Sequence, residues 1–580
     1  MNNIRATLAI VWRIASPYFR SEDKWAGRGL LAAVIAIELT LVGNDVLLNQ
    51  WRSRFYNALQ ERDWDGFVRE LIVFCVLATV LVVLSIYQLY LNQWLQIRWR
   101  RWMTDRYLGE WLQGANHYRM QLQGEAADNP DQRMSDDVKL FVERTLAIGI
   151  GLLSSIVTLA SFVIILWGLS AAAPLHAFGG EFSIPGYLVW GALIYAIFGT
   201  ALTQWIGSPL VHLDFHQQRL EADFRFNLVR VRENSEQIAL LHGEQAERER
   251  LSARFGGVVG NWYGIMSRTK RLTAFTQSYS QAAVAFPFVL VAPAYFANKI
   301  QLGPLIQTAE AFGKVQDALS FFISVYRTMA EWRAVVARLD GFEQAVGSAA
   351  RLADDPGSID LTTAGGEVGL KQLLLKLPNG APMVSATDFT LGAGEHTLMT
   401  GPSGAGKSTL FRAIAGIWPF GTGTILIPEH ARLMLLPQKP YFPIGPLHLA
   451  IIYPGAPEDF GAERVKEVLA QVGLPQLADR LDEEAHWNRM LSLGEQQRLG
   501  VARALLHAPN YLFLDEATAS LDEPSEAALY QLLLNKLPET TIISIGHRTT
   551  LDAFHQRKVA LIREGDRFAL SEARVQPKST

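Results

Sequence analysis

Long apolar stretches dominate the first half of the sequence. A helix needs about 20 residues to cross the hydrocarbon of a bilayer, and five stretches reach that length: 29–48, 69–91, 146–170, 186–206 and 274–297. The run LIVFCVLATVLVVLSIY (71–87) carries no charge, so a soluble core helix is a poor interpretation there. A sixth stretch, 305–328, is weaker because Glu310, Lys314 and Asp317 interrupt it. We therefore expect an all-α domain with six membrane helices.

Composition narrows the class of protein further. Apolar residues make up 49% of the 580 residues and charged residues 19%, below the roughly 25% of a typical soluble domain. The net charge of −3 argues against a nucleic-acid partner, which would require bulk positive charge. Cys75 is the single cysteine and cannot close an intramolecular disulfide. The N-terminal residues are too charged for a cleaved signal peptide, so we expect an integral, multi-pass membrane protein.

Basic residues predict the orientation of the chain. They are frequent in the N-terminal arm and in the segments that follow the second and fourth spans. The loops on the opposite side offer Arg52, Arg54, Arg62 and Lys299. Because basic loops stay cytosolic, both termini are expected in the cytosol, in agreement with an even number of spans.

The character of the sequence changes after residue 330. Residues 331–346 have the pattern of an amphipathic helix, and the following stretch is rich in Gly, Ala, Ser, Asp and Thr. Short apolar runs then alternate with helical patterns, which is typical of an α/β domain. We divide the chain into a transmembrane domain with long cytosolic extensions (1–345), a linker (346–365) and an α/β domain (366–580).

A glycine-rich loop in the second half predicts a phosphate site. GPSGAGKS (401–408) fits G-x-x-x-x-G-K-[ST], between an apolar strand and a helical pattern. Backbone N–H groups of such a loop surround phosphate oxygens at a helix N-terminus, the lysine reaches the β- and γ-phosphates, and the hydroxyl ligates Mg²⁺. The candidate ATP-binding residues are Gly401, Pro402, Ser403, Gly404, Ala405, Gly406, Lys407, Ser408 and Thr409.

An acidic pair supplies the second half of the site. The apolar run YLFL (511–514) ends in Asp515 and Glu516. An acidic residue at the end of a buried strand can hold Mg²⁺ through water, and a neighbouring carboxylate can polarise the attacking water. Downstream of a phosphate loop, this pair favours a nucleotide hydrolase of the α/β P-loop class.

The order of these motifs resembles the ATPases of ATP-binding-cassette (ABC) transporters. LSLGEQQR (491–498) is similar to the family's signature sequence, Gln438 to its Q-loop, Ser520-Leu521-Asp522 to its D-loop and His547 to its switch histidine. The resemblance implies a head-to-tail dimer in which each ATP contacts Ser492 and Gly494 of the partner copy. It also implies that Ser408, Gln438 and Asp515 surround Mg²⁺, that Glu516 is the general base, that His547 orients the γ-phosphate, and that Asp522 lies at the nucleotide.

Two departures from the family pattern concern the nucleotide. The common signature is LSGGQ, whereas this chain has Leu493 and Glu495 at the third and fifth positions. Because Ser492 and Gly494 are kept, we expect hydrolysis. Many members stack an aromatic ring on adenine, but the matching place, near Leu377-Pro378, offers no ring.

Two cytosolic segments indicate a branch of the family. ADNPDQRMSDDV (127–138) and VRENSEQIALLHGE (231–244), with GIWPFGTG (416–423) and PYFPIGPL (440–447), resemble the SbmA/BacA-like (YddA-like) half-transporters. That branch is related to peroxisomal fatty-acyl and lysosomal cobalamin ABC transporters. From the residues alone, NPDQR (129–133) is also compatible with a simple turn, and 231–244 with a charged solvated helix that has no coupling role.

The resemblance implies a homodimeric, ATP-driven transporter of the bacterial inner membrane. Its substrate would be an amphipathic or bulky solute such as a peptide, a cobalamin-like compound or a fatty-acyl derivative. The alternative is a membrane ATPase that gates a partner without transporting anything. The direction of transport stays open, because the branch includes importers with exporter-like folds.

Charged residues inside the predicted spans are candidates for the substrate path. Glu38 and Asp45 lie two helical turns apart, and Glu310, Lys314 and Asp317 also share a helix face. A charge at mid-bilayer costs about 2.5–3.5 kcal/mol on insertion scales, so it seldom faces lipid. The five residues either line the route and bind a polar part of the substrate or a proton, or form structural ion pairs.

Overall fold

The computed structural model describes residues 2–124, 129–172, 175–177, 180–182, 184–352 and 358–572. The chain divides into two compact units. One is helical and comprises Met1–Tyr107 with Asp131–Asp340, and the other, which contains the phosphate loop, comprises Leu108–Pro130 with Gly341–Thr580.

The helical unit is built from long helices joined by short connections. The α-helices from the N-terminus to the end of this region are α1 (Asn2–Ala15), α2 (Lys24–Glu61), α3 (Trp64–Leu112), α4 (Asn116–Leu122), α5 (Pro130–Gln132), α6 (Val138–Ala172), α7 (Tyr187–Glu233), α8 (Ser235–Leu240), α9 (Glu244–Phe296) and α10 (Leu302–Arg351). A two-stranded hairpin, β1 (Leu175–Ala177) and β2 (Gly180–Phe182), lies between α6 and α7.

Five helices of the described chain are long and apolar enough to cross a membrane, and they contain the five strongest predicted spans. The sixth predicted span lies in α10, which has 50 residues but no sufficiently apolar, charge-poor window. Its charged residues interrupt the apolar pattern, so its assignment as a span stays a prediction. The long helices extend well beyond about 30 Å of hydrocarbon, since 20 residues already span that distance.

The ends of α2 and α10 are joined by side-chain caps. Asn57 Oδ1 accepts a hydrogen bond from the Gly303 backbone N–H at 2.8 Å, and Gln60 Oε1 accepts one from Leu302 N–H at 2.6 Å. These N–H groups belong to the first turn of α10, where no intrahelical partner exists. A side chain at Gly303 would place its Cβ 2.0 Å from the Ser53 carbonyl oxygen, so glycine permits this close approach.

Two stacked tyrosines join α7 to α9. The Tyr195 hydroxyl donates to the Tyr279 carbonyl at 2.6 Å, and the Tyr279 hydroxyl donates to the Tyr195 carbonyl at 2.8 Å. Their ring centroids are 4.4 Å apart, and a Cβ at Gly199 would overlap the Tyr279 ring at 2.1 Å. The pair combines apolar packing with two satisfied hydroxyls, which fixes the register of these helices.

The NPDQR segment is helical and is not a simple turn. Residues 127 and 128, which precede NPDQR in the predicted segment 127–138, lie outside the described chain. From Pro130 the chain forms one α-helical turn and a π-helical turn, Arg133–Asp137, that leads into α6. The buried Asp137 carboxylate binds Arg133 at 2.7 Å and Arg338 of α10 at 2.9 Å. This bend therefore anchors the C-terminal half of α10 to the start of α6.

The second unit is an α/β domain. Its strands are β3 (Asp360–Thr363), β4 (Val368–Lys376), β5 (Pro382–Leu391), β6 (Thr397–Thr400), β7 (Gly421–Ile427), β8 (Leu433–Leu436), β9 (Gly445–Pro446), β10 (Glu484–Ala485), β11 (Tyr511–Asp515), β12 (Thr541–Ile545), β13 (Arg557–Glu564) and β14 (Arg567–Glu572). Its helices are α11 (Lys407–Ile414), α12 (Leu447–Ile452), α13 (Ala462–Gln471), α14 (Trp487–Met490), α15 (Leu493–His507) and α16 (Glu523–Lys536).

One sheet organises this domain. Within the described residues, ten strands pair in the order β3-β7-β4-β5-β14-β13-β6-β12-β11-β8. The run from β13 to β8 is parallel, with Asp515 level with Ile545 and Ile545 level with Met399. The carboxyl ends of β6, β12 and β11 therefore meet at one edge, where ligands bind in open α/β sheets.

The observed boundaries differ from the predicted ones in two places. Helix α10 continues to Arg351, and Asp360–Thr363 pairs with β7, so the predicted linker (346–365) includes structured residues at both ends; residues 353–357 lie outside the described chain. Helix α4 belongs to the second unit, since Leu122 packs on the apolar core of that unit and Arg119 donates to the Gly416 carbonyl at 3.4 Å.

One buried histidine, His396, and one half-buried histidine, His555, predict that this domain is sensitive to acid. Burial lowers the pKa of His396 and of His555, and His396 Nδ1 accepts a hydrogen bond from Ile542 N–H at 3.2 Å. In the unfolded chain both histidines regain a pKa near 6.5. The unfolded state therefore binds more protons below that pH, and the stabilisation present above about pH 6.5 is lost as pH falls.

We predict that the thermal unfolding midpoint falls between pH 7.5 and 5.5, and falls less in His396→Asn, which keeps an acceptor but cannot titrate in this range. His430→Asn is the control, because His430 is exposed. An equal pH dependence of all three proteins would contradict the role given to His396.

Candidate functional site

The glycine-rich loop has the backbone of a phosphate cradle. It joins β6 to α11, and Gly401, Gly404 and Gly406 have φ values of +148°, +78° and +91°. Other residues rarely adopt these conformations. A Cβ at Gly406 would lie 2.5 Å from Val384 Cγ2, so the start of α11 also packs too closely on β5 for a side chain. The predicted loop therefore leads directly into a helix N-terminus, which attracts anions.

Lys407 is buried against this loop. Its ammonium donates to the carbonyls of Gly401 at 2.8 Å and Pro402 at 2.9 Å. Burial lowers the pKa of Lys407, while the nearby Glu516 and Asp515 carboxylates oppose that shift. A phosphate would give this ammonium a charged acceptor, and such hydrogen bonds are about twice as strong as neutral ones.

Ser408 and Asp515 form the part of the site that suits a divalent cation. Ser408 Oγ donates to Asp515 Oδ1 at 2.8 Å. Burial raises the pKa of Asp515, the Ser408 hydrogen bond opposes that change and Glu516 adds to it. A cation would stabilise this half-buried carboxylate, and oxygen donors are the ligands that Mg²⁺ prefers. These residues, with Gln438, would hold Mg²⁺, which neutralises charge on the phosphates when bound.

Glu516 is held at the centre of the site. It has a φ of +50°, a conformation that costs energy in a non-glycine residue and often marks functional positions. Its N–H donates to the Ile545 carbonyl at 3.2 Å. One carboxylate oxygen accepts from Gln438 Nε2 at 3.3 Å, and the other lies 3.4 Å from His547 Nε2. Three predicted residues from distant parts of the sequence therefore meet.

The signature residues occupy a helix start. Ser492 is the N-cap of α15 and forms a capping box with Glu495. The Glu495 carboxylate accepts from the Ser492 N–H at 2.9 Å and from its hydroxyl at 2.8 Å. The residue that departs from the common signature thus closes the cap. A Cβ at Gly494 would lie 3.3 Å from Leu521 Cδ2, which places the signature turn beside the D-loop.

Two further predicted positions lie at turns. Asp522 precedes α16 as its N-cap residue, and a hydrogen bond with the Ser525 side chain lowers the pKa of the Asp522 carboxyl. Leu377 starts a tight turn, since it accepts from Gly380 N–H and donates to the Ala381 carbonyl, both at 2.8 Å. Its side chain is exposed and provides an apolar surface where many ABC ATPases carry a ring.

The charged residues of the membrane helices do not gather in one place. Lys314 pairs with Asp45 across the α2–α10 contact, and Glu310 binds Asn49 at 3.1 Å and Arg52 at 3.0 Å. Glu38, two helical turns before Asp45 on α2, accepts a hydrogen bond from Gln88 of α3 at 3.1 Å. The Asp317 side chain is exposed.

Sequence reasoning missed two residues that hold the D-loop. Gln497 is 1% exposed and accepts a hydrogen bond from Ser520 N–H at 3.0 Å. Arg548 donates to the carbonyls of Leu521 at 2.7 Å and Ala519 at 3.2 Å. Gln497 lies within the signature motif and Arg548 directly follows His547, but only the tertiary structure gives their partners.

Comparisons with known proteins agree with this geometry. Residues 14–296 match the family described as ABC transporter transmembrane region 2, and residues 384–519 match the family described as ABC transporter. The inner membrane ABC transporter ATP-binding protein YddA of Escherichia coli is 32% identical, over 94% of this chain and 96% of the relative. This chain belongs to the ABC transporter family.

More distant ABC proteins match over the whole length as well. The lysosomal cobalamin transporter ABCD4 of Homo sapiens is 25% identical, over 95% of this chain and 94% of the relative. The structure of a bacterial Atm1-family ABC exporter with ATP bound superposes with a TM-score of 0.70 at 18% identity, and covers 93% of this chain and 94% of that chain. That similarity confirms the fold, a helical transmembrane domain followed by an ABC ATPase domain.

The family assignment confirms several expectations from the sequence. The chain is an ABC half-transporter of the branch that contains YddA and ABCD4. It is an integral, multi-pass membrane protein, and it binds ATP with Mg²⁺ and couples ATP hydrolysis to transport across a membrane.

We predict that Glu516→Gln lowers ATP hydrolysis by at least about a hundredfold while ATP stays bound, because a positioned general base contributes about 10²–10⁴-fold. Lys407→Ala should instead weaken ATP binding by about tenfold or more, the value of one charge-assisted hydrogen bond. Both are measured as ATPase rate and ATP affinity of the purified protein.

Glu539→Gln is the control for this experiment, because Glu539 is an exposed carboxylate of the same domain. Near-normal turnover in Glu516→Gln would show that another group orients the water.

Proposed function

We propose that this ABC transporter works as a homodimer in a bacterial inner membrane and moves an amphipathic or bulky solute by alternating access. ATP closes the two ATPase domains, the cytosolic helices carry that closure to the membrane helices, and hydrolysis reopens the dimer. The observation that carries the proposal is the carboxylate of Glu516, which contacts both Gln438 and His547. A chain that retains Glu516, Gln438 and His547 in contact can hydrolyse ATP and so reopen the dimer without a different partner protein.

The homodimer is supported by apolar groups that a single chain leaves exposed. Leu240 and Leu241, at the end of α8, are 73% and 81% exposed. Large apolar side chains at this exposure have few apolar contacts within the described part of the single chain. In the ATPase unit, Tyr441, Ile444 and Tyr453 are also exposed. Exposed apolar groups of this size favour protein contacts. We infer that a second copy covers them, and that its Ser492 and Gly494 complete each ATP site.

The cellular location and orientation follow from the proposed cycle and from charge. The name of YddA places that relative in the inner membrane. In the present chain, basic residues concentrate in the segments on the side of the ATPase domain, and basic loops stay cytosolic. We infer that both termini are in the cytosol, where ATP is available.

The substrate class is inferred from the branch and from the polar groups of α2 and α10. The name of ABCD4 gives cobalamin as the solute of that relative, so a cobalamin-like compound, a peptide and a fatty-acyl derivative are the candidates to test here. A regulator without a substrate of its own is the alternative. It would require its partner for full ATPase activity, whereas a transporter responds to its solute.

The decisive experiment uses purified protein in sealed vesicles, with ATP on the side of the ATPase domains and the three solute classes tested separately. We expect one class to stimulate ATPase activity and to move across the membrane, and its direction of movement distinguishes import from export. Glu516→Gln vesicles are the matched control. If no solute class changes the ATPase rate or moves, the regulatory alternative is favoured.

The shared ATP site predicts complementation between inactive chains. Lys407→Ala and Ser492→Arg homodimers should both hydrolyse ATP poorly. A mixed dimer of the two, isolated with different tags, contains one intact site and should hydrolyse ATP faster than either parent. If each site were formed within one chain, the mixed dimer would have no intact site, and equally low rates would contradict the homodimer.

A further prediction distinguishes charged residues of the membrane helices that pack the helices from those that bind the solute. Asp45→Asn leaves Lys314 without its carboxylate, so the unfolding midpoint should fall, because that pair packs α2 on α10. Asp317→Asn and Glu38→Gln should fold and hydrolyse ATP normally but lose about tenfold or more in transport, the value of one charge-assisted contact.

Asp65→Asn is the control for this prediction, because Asp65 is an exposed carboxylate at the start of α3. Wild-type transport by both Asp317→Asn and Glu38→Gln would remove these carboxylates from the substrate path.

A further inference from the structure

The side chain of Gln497 connects two loops of the ATP site. It lies in the first turns of α15, and only 1% of it is exposed. Its Nε2 donates to the Gln438 carbonyl at 3.0 Å, and its Oε1 accepts from Ser520 N–H at 3.0 Å. One buried amide therefore satisfies a backbone group of the Q-loop and a backbone group of the D-loop at the same time.

Arg548 makes a second connection to the same D-loop. Besides its bonds to the carbonyls of Leu521 in the D-loop and Ala519 just before it, it pairs with the buried carboxylate of Glu526 at 3.3 Å. The other oxygen of Glu526 accepts from Thr518 Oγ at 2.6 Å. Arg548 directly follows His547 in the sequence. A movement of the D-loop that displaces Arg548 therefore also displaces the backbone of the switch histidine.

These contacts form a closed circuit around Glu516. The carboxylate touches the side chains of Gln438 and His547. The backbone of Gln438 is bound by Gln497, and the D-loop is bound by both Gln497 and Arg548. A displacement of the D-loop therefore reaches both groups that orient the carboxylate. Gln497 itself is buried, and both of its bonds are to backbone groups, so its amide has few alternative arrangements.

We propose that Gln497 is a positioning residue for ATP hydrolysis, which couples the position of the D-loop to that of Gln438 and hence to the orientation of the Glu516 carboxylate. Gln497 touches neither the nucleotide nor the attacking water in this assignment. It acts through the backbone of Gln438. The proposal rests on the assignment of Glu516 as the general base, which Glu516→Gln tests separately.

Two substitutions separate the two bonds of the amide. Gln497→Met has a similar length but loses both bonds. Gln497→Glu has the same shape and keeps an acceptor for Ser520 N–H, but turns an oxygen towards the Gln438 carbonyl. Misplacement of a catalytic group by about 1 Å can cost about a hundredfold in rate. We expect both variants to lose about tenfold or more in kcat, with the KM for ATP changed by less than about threefold.

Thr540→Val is the matched control for a purely structural loss. Thr540 is 3% exposed, and its hydroxyl donates to the Pro509 carbonyl at 2.6 Å. It thus also makes a buried bond between side chain and backbone, but immediately before β11 and β12, at the edge of the sheet opposite the ATP site. It should lower the unfolding midpoint as Gln497→Met does, and leave kcat within about twofold of wild type.

The assay uses the full-length protein with ATP alone, and affinity for a fluorescent ATP analogue confirms that each variant is folded. A selective loss of kcat in both Gln497 variants supports the proposal. If either variant keeps the wild-type kcat, or if kcat falls in Thr540→Val as much as in Gln497→Met, the proposal is wrong. If Gln497→Met keeps its rate while Glu516→Gln does not, the positioning role alone fails and the base assignment stands.

Discussion

The parallel register of β6, β12 and β11 is the constraint on which the ATP site depends. It places Met399, Ile545 and Asp515 at the same level, so that the glycine-rich loop, the switch segment and the acidic pair leave the sheet at one edge. The strands are fully buried, as parallel strands are, and their register cannot slip without exposing apolar residues. The catalytic groups can therefore lie on short loops and still meet with distances near 3 Å.

Motifs with a local physical basis could be predicted from the sequence. The glycine-rich loop needs left-handed backbone at fixed positions, and the acidic pair needs a short apolar strand before it, so both are readable from a few adjacent residues. Membrane helices with uncharged apolar runs are equally direct. The contacts of Gln497 and Arg548 with the D-loop could not be predicted, because these partners lie more than 20 residues away and are backbone atoms. Backbone partners leave no trace in side-chain patterns.

Tertiary partners elsewhere in the chain could not be predicted for the same reason. Helical periodicity placed Glu38 and Asp45 on one face, but packing decides the partner, and the two carboxylates contact α3 and α10 respectively. The short strand Asp360–Thr363, inside the predicted linker, could not be predicted because it is mostly exposed and lacks apolar alternation. Helix α4 joined the ATPase unit through Leu122, a single apolar contact that no spacing reveals.

The capping box gives a structural role to Glu495, which replaces the glutamine of the common signature. A carboxylate at the N-terminus of α15 stabilises the helix through its dipole and satisfies the Ser492 N–H and hydroxyl. In the proposed dimer, the same hydroxyl must turn to the γ-phosphate of the partner's ATP, close to the negative charge of Glu495. Closure would then exchange one charge-assisted hydrogen bond for another. The capping box orders the signature turn in the single chain, and in the proposed dimer part of the binding energy of the phosphate would go into displacing the Glu495 carboxylate.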